Sequence, residues 1–231
     1  MSTFVLIHGA YQGGWIWRDC ARALWSKGHR VFTPTLDGCG ERKHLLRAGI
    51  SVESHAEELA ELLFFEDLDD VIAVGTSTGG MVLCRLAELA RERIGKVVFA
   101  DALALFDGEA LPDIVTRKNA VTTEFGTGPT EDDLRGRLFA DLRDDVRDWA
   151  SARTTLHPRA VMEAPVKLSS FWRTSWNAQV IFCRRSANPP RAHQERAASK
   201  LGATWAELDC GHYPMLEKPL ELATLLADEQ T

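Results

Sequence analysis

Ser77 stands in the run Gly75-Thr76-Ser77-Thr78-Gly79-Gly80, between the apolar stretch Asp70 to Val74 and a segment from Met81 to Arg93 that repeats Leu and Ala at helical spacing. The stretch reads as a buried strand and the segment as a helix, so the glycines mark a sharp strand-to-helix turn. Such a turn pushes a serine hydroxyl out at the top of a sheet, and small residues two positions to either side avoid the neighbouring strand and the helix start. A serine hydroxyl is a poor nucleophile at neutral pH, so chemistry here needs a base, a group that orients the base, and donors for a developing oxyanion. His212 is the candidate base, in the loop Asp209-Cys210-Gly211-His212-Tyr213-Pro214-Met215 directly after the last expected strand. The expected oxyanion donors are the N–H of Thr78, aided by the positive end of its helix, and the N–H of Ala10 in the glycine-rich loop His8 to Gly14, with Tyr11 as the alternative.

Asp101 is the first candidate for the orienting acid. It lies at the tip of the strand after that of Ser77, where a carboxylate can approach His212 from the neighbouring strand and hold its tautomer. Asp209 and the pair Asp107/Glu109 compete for the role. Among the other histidines, His8 ends the first strand and is expected to support the Ala10 loop, while His29, His44, His55, His157 and His193 are expected to be solvated. The five cysteines, Cys20, Cys39, Cys84, Cys183 and Cys210, have neither metal-ligand nor CxxC spacing and read as reduced, small buried side chains.

The elements that must position these groups alternate. Strands are expected at Thr3 to His8, His29 to Thr35, Asp70 to Val74, Lys96 to Ala100, Ala178 to Phe182 and Thr204 to Leu208. Helices are expected at Gly13 to Lys27, from Ser51 as N-cap to Glu66, near Arg191 to Leu201, and from Pro219 to about Asp228. This rhythm calls for right-handed β-α-β units: an α/β fold with a mostly parallel six-stranded sheet flanked by helices. It stops between the fourth and fifth strands, where residues 106–176 are charged, helical in patches and without a convincing strand. The expectation is one domain over residues 1–231 with a helical lid inserted at about 106–176.

Hydrophobic residues at 45% and charged residues at 26% describe an ordinary globular chain of 231 residues. A net charge of −6 without a basic cluster argues against nucleic acid and anionic membrane as partners. Only Met1 and Ser2 precede the first strand and no apolar run approaches the length of a membrane span, so a cytoplasmic location is expected. The expected partner is a small-molecule ester or lactone, a homodimer being compatible with the sequence, and the chemistry requires no metal or organic cofactor. Lid aromatics, Phe106 and Trp149 among them, suggest an apolar substrate pocket, with Trp15 at its entrance and Tyr11 beside it.

At these residues the chain resembles the α/β-hydrolase superfamily, and within it the branch of plant hydroxynitrile lyases, plant methylesterases and related bacterial esterases. The opening Phe4 to Ala10 followed by Gly14-Trp15-Ile16-Trp17, and the ending Gly211 to Pro219, carry the likeness, which spans residues 3–105 and 178–228. The order of serine first and histidine last fits that fold. The resemblance implies a serine esterase or lactonase. Hydroxynitrile lyases place a lysine directly after the histidine and a threonine in the first oxyanion loop, where this chain has Tyr213 and Gly9-Ala10, which favours ester hydrolysis over cyanohydrin cleavage. Most members carry the acid after the strand that follows the lid. Here that strand runs into Cys183-Arg184-Arg185-Ser186-Ala187-Asn188, with no carboxylate, similar to relatives whose acid sits one strand earlier.

Overall fold

Six parallel strands build the central sheet of the computed structural model, which describes residues 1–116 and 120–228. The first four are β1 (Thr3–Ile7), β2 (Arg30–Phe32), β3 (Val71–Ser77) and β4 (Ile94–Ala102). Residues 103–177 carry three short strands, β5 (Ala120–Thr122), β6 (Gly126–Pro129) and β7 (His157–Pro158), and the main sheet resumes with β8 (Ala178–Cys183) and β9 (Thr204–Leu208). The strand order is β2-β1-β3-β4-β8-β9. β3, the strand of Ser77, therefore lies in the middle of the sheet, between β1 and β4. Strands covered on both faces can be apolar throughout, and in β1 Phe4, Val5, Leu6 and Ile7 are all fully buried.

β2 is shorter than the His29 to Thr35 expected. It is an edge strand, and Pro34 has no N–H to continue the ladder. The first helix opens with a 3-10 turn, Gly14–Trp17, before Arg18–Ser26. The helix Val52–Phe65 begins as the sequence indicates: Ser51 Oγ accepts from the Ser54 amide and Ser54 Oγ accepts from the Ser51 amide, at 3.3 and 2.9 Å, so two otherwise unpaired helix-start donors are satisfied.

The insertion differs from the expectation of helical patches alone. β5, β6 and β7 form an antiparallel sheet, order β5-β6-β7, joined to short helices and a π-helical turn at Leu134–Leu138. With three, four and two residues, and with glycine and proline in β6, these strands are too short to show alternation in the sequence. The insertion is tied to the core: the Thr155 amide donates to the Tyr11 carbonyl at 2.9 Å, the Gly40 amide donates to Thr155 Oγ1 at 3.0 Å, and Cys39 Sγ lies 3.3 Å from His157 Nδ1. Among the described residues no helix is long and apolar enough to cross a membrane.

Candidate active site

The turn after β3 holds Ser77 at a φ of 50°, in the left-handed region that costs a side-chain-bearing residue free energy. Close packing keeps it there. A Cβ on Gly79 would lie 2.6 Å from the Ile7 carbonyl oxygen, and one on Gly75 would lie 2.8 Å from the Gly79 backbone. Only glycine lets β3, β1 and the helix Gly79–Leu89 approach this closely. Thr78 forms the start of that helix, next to Ser77.

On the β1 side, His8 is fully buried and links two loops. Its Nδ1–H donates to the Gly9 carbonyl at 2.8 Å and its Nε2 accepts from the Leu36 amide at 3.0 Å, which settles the tautomer. Burial holds its pKa down at about 4, so the ring is neutral and serves as a strut. Gly9 follows, with its own N–H donating to Gln12 Oε1 at 3.3 Å, and then Ala10 and Tyr11 reach the cavity beside Ser77. Tyr11 has a φ of 70°, a second strained residue at the same rim.

On the β4 side, Thr76 pairs with Ala100 and Ser77 with Ala102, leaving Asp101 opposite nothing. This is a β-bulge, with Asp101 at a φ of 47°, and such bulges turn a side chain out of the regular alternation. The Asp101 carboxylate, fully buried, thereby meets His212 from the adjoining strand. Its Oδ2 lies 2.6 Å from His212 Nδ1, and its Oδ1 accepts from Gln194 Nε2 at 2.8 Å. The competing carboxylates are engaged elsewhere. Asp107 accepts from the Leu168 amide, Glu109 pairs with Arg196, and Asp209 faces Arg184 and Arg185.

Ser77 and His212 line one cavity of about 210 Å³, together with Ala10, Tyr11 and Thr78. Leu103, Leu111, Val115 and Met162 give it an apolar side. Arg137 and Tyr213 add polar groups that the sequence reading did not place there. Arg137 leaves the π-helical turn and is clamped by the buried Asp133 carboxylate at 2.7 Å through Nε, an (i, i+4) pair whose polar partner alone hinted at a fixed guanidinium. Burial, with a smaller contribution from Tyr11, pushes the Tyr213 phenol above its ordinary range, so it remains protonated.

Three aromatics expected at the pocket are elsewhere. Trp15 packs against Trp149 with ring centroids 5.2 Å apart, Trp149 lies under Arg18 and Arg153, and Phe106 packs between Trp172 and Arg196. None of the three lines the cavity. Each is consumed by another aromatic or by a guanidinium, the commoner fate of such rings. Expected solvation fails for His55, His157 and His193, which are buried, while His29 is half-buried and His44 exposed. His193 Nε2 accepts from the Ala104 amide and His55 Nε2 bonds the Asp37 carbonyl, so backbone partners draw both rings inward. All five cysteines are free and buried, as read from the sequence.

A central parallel strand that ends in a strained serine and runs straight into a helix defines the nucleophile-elbow class of α/β proteins. The chain belongs to the alpha/beta hydrolase family, whose model matches residues 4–225. It is 33% identical over 239 residues to the carbendazim hydrolyzing esterase of Nocardioides sp. (strain SG-4G), covering 98% of this chain and 99% of that one. Polyneuridine aldehyde esterase of Rauvolfia serpentina is 25% identical over 97% of this chain and 94% of its own. Among solved structures, an extracellular alpha/beta-hydrolase from a Paenibacillus species superposes with a TM-score of 0.81 at 22% identity, covering 98% of each chain, which is a likeness of fold. The esterase relatives support hydrolase activity on esters for this chain.

Proposed function

We propose that the protein is a serine carboxylester hydrolase that works through an acyl-enzyme. The observation that carries this reading is a single cavity lined by Ser77 and His212, in which His212 is held by a buried carboxylate at 2.6 Å. In this mechanism Asp101 accepts the Nδ1–H of His212, leaving Nε2 free to take the Ser77 proton as Oγ attacks the ester carbonyl. The amides of Ala10 and Thr78 hold the tetrahedral oxyanion. His212 returns the proton to the departing alcohol; water then attacks the acyl carbonyl as the same imidazole takes its proton, which passes to Ser77 Oγ as the acyl–oxygen bond breaks and the acid leaves.

A cavity of this volume with one apolar side suits a small, largely apolar ester or lactone. The bacterial relative named for hydrolysing carbendazim makes that compound a rational first substrate alongside p-nitrophenyl acetate. The test combines a fluorophosphonate probe with ester turnover. Labelling that maps to Ser77, absent in Ser77→Ala, with turnover of p-nitrophenyl acetate is the expected result. Labelling without turnover of any ester points to lyase chemistry, and absence of labelling points to a ligand-binding protein on this fold.

A further inference from the structure

Gln194 occupies the first turn of the helix Arg191–Leu201, 1% exposed. Its Nε2 amide donates twice, to Asp101 Oδ1 at 2.8 Å and to the Pro189 carbonyl at 3.2 Å. Both partners are acceptors only, so the NH2 end must face them and the amide cannot be reversed. The Oε1 end is buried with no hydrogen-bond partner among the described residues. A buried polar side chain left unsatisfied on one end is costly, so the geometry is set by what its other end holds.

What that end holds is the second oxygen of the carboxylate bonded to His212. Asp101 sits on a bulge at the end of β4, where the β3 ladder no longer constrains it, and its Oδ2 must point at one nitrogen. With Oδ1 anchored on Gln194, rotation about the Cβ–Cγ bond is blocked and Oδ2 faces Nδ1. Pro189 follows the carboxylate-free segment after β8 and lines the cavity, so one amide joins that segment to Asp101.

We infer that Gln194 is a positioning residue for the proposed reaction, holding the Asp101 carboxylate in the orientation that His212 needs and tying it to the cavity-lining segment after β8. The inference rests on the reading of Ser77, His212 and Asp101 as the reacting set. Loss of the donor frees Asp101 to rotate, loosens the imidazole, and lowers turnover without removing any surface that substrate touches.

The test uses Gln194→Leu and Gln194→Met, two apolar side chains of similar size without a donor, so that one survives if the other folds poorly. With p-nitrophenyl acetate kcat is expected to fall roughly 10- to 100-fold, the range that a hydrogen bond to a charged group is worth, with KM within about twofold. Independently of turnover, proton NMR of the wild-type protein is expected to show a low-field resonance from the His212 Nδ1–H bonded to Asp101, absent in Asp101→Asn and broadened or shifted upfield in both Gln194 variants. If the variants keep wild-type kcat and an unchanged low-field proton, losing only Tm, the residue is merely structural and the inference fails. If the wild-type protein turns over no ester yet the resonance responds to Gln194, the positioning stands and the hydrolase reading falls.

Discussion

Asp101 reaches His212 because β4 carries one residue more than β3 at the point where their ladders end. That extra residue has no partner across the sheet, and its carboxylate leaves the pleat to meet an imidazole 111 positions later at 2.6 Å. A regular strand would have sent the same side chain to one face of the sheet, away from the cavity rim.

Asp101→Asn keeps the shape of this contact and removes its charge. Turnover of p-nitrophenyl acetate is expected to fall by roughly 10⁴-fold, since an amide presents its donor or a weaker acceptor to Nδ1 and favours the wrong tautomer. The far-UV circular dichroism spectrum should be unchanged. Near-normal turnover would transfer the role to another carboxylate.

Gly9→Ala tests the close approach on the opposite side of Ser77. The new Cβ would lie 2.7 Å from Ser77 Cβ and 3.3 Å from its Oγ, so the serine or the Ala10 loop must shift. Displacement on that scale is expected to lower kcat about 100-fold and to slow fluorophosphonate labelling in parallel. Rates of labelling equal to wild type would show that the loop yields without disturbing the hydroxyl.

Acid should destabilise the fold before most carboxylates titrate. Burial holds His8, His55 and His193 at about 4, against an ordinary value of 6.5. Between those values the unfolded chain binds protons that the folded chain refuses, so stability is full above about 6.5 and declines as pH falls toward 4, by roughly 1.4 kcal/mol per pH unit for each histidine in mid-window. Urea midpoints measured from pH 7.5 to 4.5 check this. A midpoint flat across that range would mean that these rings protonate in the folded state.

Thiol chemistry offers a readout of the core. All five cysteines are buried and unbonded, and burial raises Cys20 to about 12 and Cys39 and Cys84 further still. Native protein is expected to resist Ellman's reagent at pH 8 over an hour, and guanidinium-unfolded protein to release five equivalents. Rapid reaction of one thiol in the native state would reveal local opening at that position.

The elbow was legible because its cause is local: Gly75 and Gly79 flank Ser77 within one turn, and strand and helix each announce themselves by periodicity. The six-stranded sheet followed from the same alternation. Asp101 could be placed near His212 by strand order, but the bulge that aims it is a property of two paired strands and leaves no mark in one. Trp15, Phe106 and Trp149 show the opposite failure. A large ring signals burial, yet only the structure tells whether it faces a cavity or another ring. His55, His157 and His193 fall in expected helices, turns or the insertion, positions that read as solvated, and the backbone groups that draw His55 and His193 inward come from distant segments. Gln194 had no signal at all, because a glutamine on a helix is ordinary until its partner across 93 residues is seen.

The contact between Thr155 and Tyr11 couples two things usually treated apart. The insertion, which lends Arg137 and Met162 to the cavity lining, and the rim that carries Ala10 share the hydrogen bond from Thr155 to Tyr11, and Thr155 also accepts from the Gly40 amide. Moving the insertion as a body away from the cavity strips the Tyr11 carbonyl of its Thr155 donor and slackens the rim at the same instant. Enlarging the chamber and keeping the reacting groups in register are therefore opposed demands on a single joint, and changes that widen tolerance for guests must be matched by a new tether at Tyr11.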